Sequence, residues 1–117
     1  MRLRIQDLIG SQRCIIKEDG QRVYDAIYKI LKSGETVNLD FSGITQFASP
    51  FFNFAIGQLL KDIKVDELQR LLHIENLDPT GKLVVERVIE NASRYHTDVD
   101  YRRIVDDILE QQAKESA

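Results

Sequence analysis

Apolar and polar positions change period several times along the chain, and each change marks an element. At the start, Leu3 and Ile5 alternate with Arg2, Arg4 and Gln6, a period of two that predicts a half-exposed strand closed by the turn signal Gly10-Ser11. The apolar patch Cys14-Ile15-Ile16 follows and fits either a strand or the approach to a helix. From Glu18 the period becomes helical: Val23, Ala26, Ile27, Ile30 and Leu31 form one stripe that stops at Ser33-Gly34. Thr36 to Phe41 returns to alternation with β-branched positions. The order strand, helix, strand with short connections favours a parallel βαβ pairing.

Ser49-Pro50 reads as the next helix start, with serine as N-cap and proline at the first helical position, and predicts a helix over 50–61. Phe52, Ala55, Ile56, Leu59, Leu60 and Ile63 form its buried stripe, while Phe51 lies at the margin and Phe54 nearly opposite. Both aromatics are therefore candidates to face outward, unless the last helix or the loop at Phe47 covers them. Val65 to Leu71 predicts a short helix or helical turn, Leu72 to Glu75 a strand, and Asp78-Pro79 a helix whose stripe is Val84, Val85, Val88, Ile89 and Ala92. Thr97 to Asp100 resembles a capping arrangement and opens a last helix with the stripe Tyr101, Ile104, Val105, Ile108 and Leu109, ahead of a fraying tail from Lys114. The pattern is that of an α/β domain: a mixed sheet of three to four or more strands flanked by about five helices. Residues 1–96 are expected to form that domain, and 97–117 an extra helix packed on it or on a partner.

Length and composition keep this picture to one folded unit. The chain has 117 residues, 43% hydrophobic and 30% charged, enough to bury roughly two-thirds of the surface that the unfolded chain exposes. A formal charge of −3 and a pI near 5.4, with Lys and Arg scattered, argue against nucleic acid as a partner. No apolar run approaches the ~20 residues of a membrane span, and the opening residues lack the apolar run of a secretory signal. The expectation is a cytoplasmic protein without a membrane partner, in which the sequon Asn91-Ala92-Ser93 has no meaning.

Candidate chemistry is sparse. The single cysteine, Cys14, cannot form an intramolecular disulfide and is expected to fill core. His73 and His96 have no partner at metal-ligand spacing, although a Cys14-His73 or Asp40-His73 pairing could form in three dimensions. The glycines are isolated, so no phosphate-binding loop, dinucleotide-binding pattern or nucleophile elbow is present. The chain is expected to be no enzyme and to need no cofactor or metal.

The run from Val37 to Asn53, together with Glu18-Asp19-Gly20, resembles the STAS-like domain family of unknown function, a relative of the STAS domains of anti-sigma-factor antagonists. The resemblance covers roughly Leu3 to Tyr95. In those antagonists the corresponding segment carries a serine, directly after an aspartate, that a partner kinase phosphorylates to release the complex. Ser49 falls at that serine, with Ala48, Pro50 and Phe51 where an aspartate, a second serine and a glycine stand there. The resemblance implies a regulatory module that docks a protein partner, such as a histidine-kinase-like ATPase or a neighbouring regulator, through the loop and helix start over 42–54. Asp40, Ser42, Phe47, Ser49, Phe51 and Phe54 are the candidate partner-binding residues, Ser49 also the candidate phosphorylation site. Asp40 fits equally a side chain bonded to its own turn, and Ser49 a plain helix cap. Two other functions stay open: homo-oligomerisation, as a homodimer or scaffold, through the last helix, and sensing of a small molecule or nucleotide in the strand-end cleft.

Overall fold

The computed structural model describes residues 1–97 together with 106 and 108. Its elements run in the order β1 (Arg2–Arg4), α1 (Ile5–Ile9), β2 (Arg13–Cys14), α2 (Lys17–Lys32), β3 (Val37–Asp40), β4 (Gln46–Phe47), α3 (Ser49–Ala55), a 3-10 helix (Gly57–Lys61), α4 (Val65–Leu71), β5 (Leu72–Glu75) and α5 (Pro79–Thr97). The expected α/β class holds. The strands divide into two parallel sheets, one of order β1-β3-β5 and a separate pair β2-β4.

Register explains how the larger sheet is used. Leu3, Leu39 and Ile74 lie side by side, as do Val37 and Leu72, and this face turns to the helices. The opposite face carries the rows Arg2-Asn38-His73 and Arg4-Asp40-Glu75, polar throughout. Parallel sheets are normally covered on both faces; here alternation within β1, β3 and β5 gives this one a single apolar side.

The core is filled by Ile5 and Ile9 of α1, Val23, Ile27 and Leu31 of α2, Phe51, Phe52 and Ala55 of α3, and Leu59 of the 3-10 helix, joined by Val85 and Val88 of α5. Each fully buried aliphatic or aromatic side chain of this set stabilises the fold by about 1.5–3 kcal/mol. The densest contact is α2 against α3. It depends on Gly20, where a Cβ would run into the Phe51 carbonyl oxygen and sit 2.9 Å from Phe54 Cβ. The missing side chain is what lets the two helix backbones approach.

Several elements differ from the pattern reading for physical reasons. The first strand stops at Arg4 and the chain turns at once into α1, because Ile5 and Ile9 are also one helical turn apart and both are buried. Gly10 ends α1 at φ 66°, with its N–H on Gln6 O at 2.9 Å, a left-handed cap that glycine adopts without strain. The helix expected over 50–61 breaks at Ile56 into α3 and the 3-10 helix. At the other end Asp78 behaves as its position suggests, its Oδ1 accepting the Gly81 N–H at 2.7 Å to cap α5.

The last-helix residues Tyr101, Ile104, Val105 and Leu109 lie outside the described residues, as does most of 97–117. Asp106 and Ile108 are described and helical. Tyr95 Oη donates to Asp106 Oδ1 at 2.6 Å, and Ile108 is half exposed. No helix among the described residues is long and apolar enough to cross a membrane.

Candidate functional site

The sequence-derived candidates separate into two places. Asp40 and Ser42 lie at the carboxyl end of β3. Phe47, Ser49, Phe51 and Phe54 belong to β4 and α3, where the smaller sheet meets the two helix starts.

Asp40 is only 8% exposed yet ionised, because its oxygens are taken by the chain itself. Oδ1 accepts the Ser42 N–H at 2.9 Å and Asn76 Nδ2 at 2.8 Å, and Oδ2 accepts Arg2 Nη2 at 3.2 Å. These donors, Asn76 foremost, hold the carboxyl well below the usual carboxylate range. Arg2 Nη2 also lies 3.2 Å from Glu75 Oε2, which is buried and makes no aligned hydrogen bond. Asn76 reaches Asp40 from a left-handed backbone at φ 58°, a conformation asparagine tolerates better than most residues. The cluster knots the ends of β1, β3 and β5 together, and the turn reading of Asp40 is the one its geometry supports. The Asp40-His73 pairing does not form: His73 stands opposite Asn38 and is exposed.

At the second place, β2 and β4 pair with Arg13 against Gln46 and Cys14 against Phe47. Thr45 N donates to Gln12 O at 2.8 Å and Ala48 N to Cys14 O at 2.9 Å. The two strands therefore leave the sheet side by side, one into the N-cap Ile16 of α2 and the other into the N-cap Ala48 of α3. The Gly20–Phe51 contact clamps these helix starts together. On the surface so formed Ile15 is 37% and Ile16 52% exposed, and Ser49, Pro50 and Asn53 are exposed beside them.

Two expectations for α3 are corrected here. Ser49 is not the N-cap: Ala48, extended at φ −147° and ψ 156°, holds that position, and no side-chain capping bond is made. Ser49 is the first helical residue, with its hydroxyl at the surface. Phe51 is not outward but fully buried, edge-on to Phe52 with ring centroids 5.4 Å apart. The single-stripe reading missed it because α2 and α5 both pack on α3, which widens the apolar arc. Phe54 is half-buried against Gly20, and its carbonyl accepts Gln58 Nε2 at 2.8 Å; the last helix, a candidate to cover it, lies mostly outside the described residues. Phe47 is half-buried with its ring 5.9 Å from Phe52. Of the four aromatic or serine candidates on β4 and α3, Ser49 alone is exposed.

Sequence reasoning did not place Ile15 and Ile16 on this surface. The available signal was their adjacency to Cys14: in a short extended stretch, neighbouring apolar side chains point to opposite faces, so one face of such a run stays uncovered. Cys14 takes the inward position, and burial with Asp19 nearby pushes its thiol up to about 12, which makes it core and not a nucleophile. It lies on the smaller sheet, away from His73 on β5. Among the described residues, no cluster of three or more His, Cys, Asp or Glu is placed to hold a metal ion.

A family model described as a STAS-like domain of unknown function (DUF4325) matches residues 19–82, more than half of the 117 residues. The match takes in α2 from Asp19, then β3, β4, α3, α4 and β5, hence Asp40, Ser42, Phe47, Ser49, Phe51 and Phe54, while Arg2, β2, Ile15 and Ile16 lie ahead of it. No curated protein and no solved structure matches the chain.

Proposed function

The chain belongs to the STAS-like domain family of unknown function, and from that membership we propose that it is a non-catalytic regulatory module that docks a protein partner through the loop and helix start around residues 42–54, joined on the same surface by Ile15 and Ile16 ahead of α2. The observation that carries this reading is the exposure of Ile15 and Ile16 beside Ser49 and Pro50. Adjacent large aliphatic side chains left in water on a rigid, helix-anchored surface favour burial by association. Ser49 sits at the rim of that patch, where a phosphate would add about −1.5 to −2 charges and oppose docking by repulsion and desolvation. A histidine-kinase-like ATPase or neighbouring regulator is the partner proposed on the family resemblance, and the unreactive Cys14 thiol supports a binding role over a catalytic one.

The test replaces both Ile15 and Ile16 by Glu and cross-links the full chain in its native cells. Because both side chains are exposed, stability should change by no more than about 0.5 kcal/mol each. The cross-linked partner, identified with the natural chain by mass spectrometry, should disappear. A folded double variant that retains the same partner in full would sink the docking reading.

A further inference from the structure

The small sheet has an edge that nothing in the described chain covers. Carbonyls of Gln12 and Cys14 accept hydrogen bonds from Thr45 and Ala48, so residues 12 and 14 turn their main-chain groups towards β4. Alternation along an extended chain then turns those of Arg13 and Ile15 to the opposite side. There the Arg13 N–H is taken by Ser11 Oγ at 3.0 Å. The N–H and C=O of Ile15 have no hydrogen-bond partner among the described residues. Along this edge runs a cleft of about 260 Å³ lined by Ser11, Arg13, Ile15, Ile16 and Asp19. Its middle is aliphatic, and its charged members are one cation and one anion.

We propose that this edge, running from β2 into Ile15, which follows it, receives an extended segment of a partner protein added as a strand, with an apolar side chain in the Ile15–Ile16 cleft, an acidic residue against Arg13 and a basic one against Asp19. The inference rests on the docking reading and adds to it the form and chemistry of what docks. The free main-chain groups of Ile15 point to an extended segment and not a helix. A helix satisfies its own main-chain groups and would leave those of Ile15 unbonded, whereas a strand supplies a donor and an acceptor at the spacing that Ile15 presents. The charged pair Arg13 and Asp19 then sets which sequences fit, since an apolar residue flanked by charges of the matching order meets both and the reversed order meets like charge at each end.

The experiment follows the exchange of individual main-chain amides in the full isotope-labelled chain by NMR. The probe is a library of end-blocked peptides with an apolar centre flanked by Glu on one side and Lys on the other, in both orders. At about millimolar peptide, the matching order should slow exchange of the Ile15 amide about tenfold. The same peptide N-methylated at alternate residues, which keeps the side chains and loses the donors, should give no protection. Ile15→Val should keep the effect, and Ile15→Pro, which lacks the N–H, should lose binding. No protection by any member of the library, or equal binding of the N-methylated peptide, overturns strand addition. Loss of the cellular partner on replacing Ile15 and Ile16 by Glu, with the Ile15 amide unprotected by every peptide, leaves docking in place and removes the strand. Protection of Ile15 with the cellular partner unaffected keeps the strand site and removes the docking reading.

Discussion

The carboxyl end of β3 and the start of α3 each follow a parallel strand, and they solve opposite problems. Around Asp40 the charged groups are bonded to the chain itself: the buried carboxylate is held by Ser42, Asn76 and Arg2, and Arg2, its side chain 59% exposed, bridges on to Glu75. Around Ser49 the reverse holds, with aliphatic side chains outward, a serine hydroxyl at the surface and a main-chain unit at Ile15 that has no hydrogen-bond partner among the described residues. The Asp40 oxygens are taken by donors of the chain, so a newcomer there must first displace internal bonds, while Glu75 Oε2 keeps only its ion-pair contact with Arg2. A surface with exposed apolar area and free main-chain groups gains by being covered. The difference gives Asp40 a bonded place in the fold and is why the docking proposed above is placed beside Ser49, although a sequence reading treats both as one segment.

Phe52 is where the comparison breaks most completely. Its ring lies 5.9 Å from both Phe41, which follows Asp40, and Phe47 of β4, and 5.4 Å from Phe51. One side chain thus supports both regions. Phe52→Ala should cost about 3–5 kcal/mol by chemical denaturation, and amide exchange should quicken at both Ser42 and Ala48. Quickening at one alone would show that the regions are supported separately. Gly20→Val comes next. Two methyl groups and a Cβ would meet the Phe51 carbonyl and Phe54, so about 3 kcal/mol should be lost as α3 is pushed away. Here the damage should be one-sided, with exchange quickened at Ala48 and Phe51 but not at Ser42.

Asp40→Asn attacks the other side and should cost about 1–2 kcal/mol, since Arg2 loses its charged acceptor while the shape is kept. Its signature lies in acid. A carboxyl held below its unfolded value of about 3.9 contributes stability that is complete well above that value and is lost as pH falls through it towards the folded one. The natural chain should therefore weaken on acidification below about pH 4 more steeply than Asp40→Asn does. Denaturant midpoints measured across that range decide it, and parallel acid limbs in the two proteins would show that Asp40 is not held as its bonds imply.

How much of this was legible in the sequence depended on how many residues each element gave to its period. Helix α2, with 16 residues, and α5, with 19, repeat their stripes often enough to leave no rival reading. Strand β5 and helix α4 were legible at shorter length because their periods change cleanly between Leu71 and Leu72. Strands β2 and β4 have two residues each, too few for any period, and they are held by pairing with each other across the chain. Ile5 satisfies a strand period with Leu3 and a helical one with Ile9, and only burial decides between them. The candidate site suffered for the same reason. Asp40 followed by Ser42-Gly43 announces its own turn, whereas the exposure of Ile15 and Ile16 depends on a partner strand more than thirty positions away, which no local pattern encodes.

The smallest expected effect is the most discriminating. If Ser49 were a capping residue, Ser49→Ala would cost about 1 kcal/mol through the lost bond to a helix N–H. Ala48 holds the cap position and Ser49 makes no such bond, so the substitution should change stability by less than about 0.5 kcal/mol. Equilibrium denaturation separates these values. A loss near 1 kcal/mol would return Ser49 to a structural role and remove the reason to look further. A neutral result leaves an exposed hydroxyl that contributes nothing measurable to the fold, next to aliphatic side chains in the same position. Ser49→Asp, equally neutral for stability, should then weaken partner capture as a phosphate would, whereas Ser49→Ala should not. An aspartate that captures the partner as well as alanine does would place Ser49 outside the docking surface and leave Ile15 and Ile16 to define it.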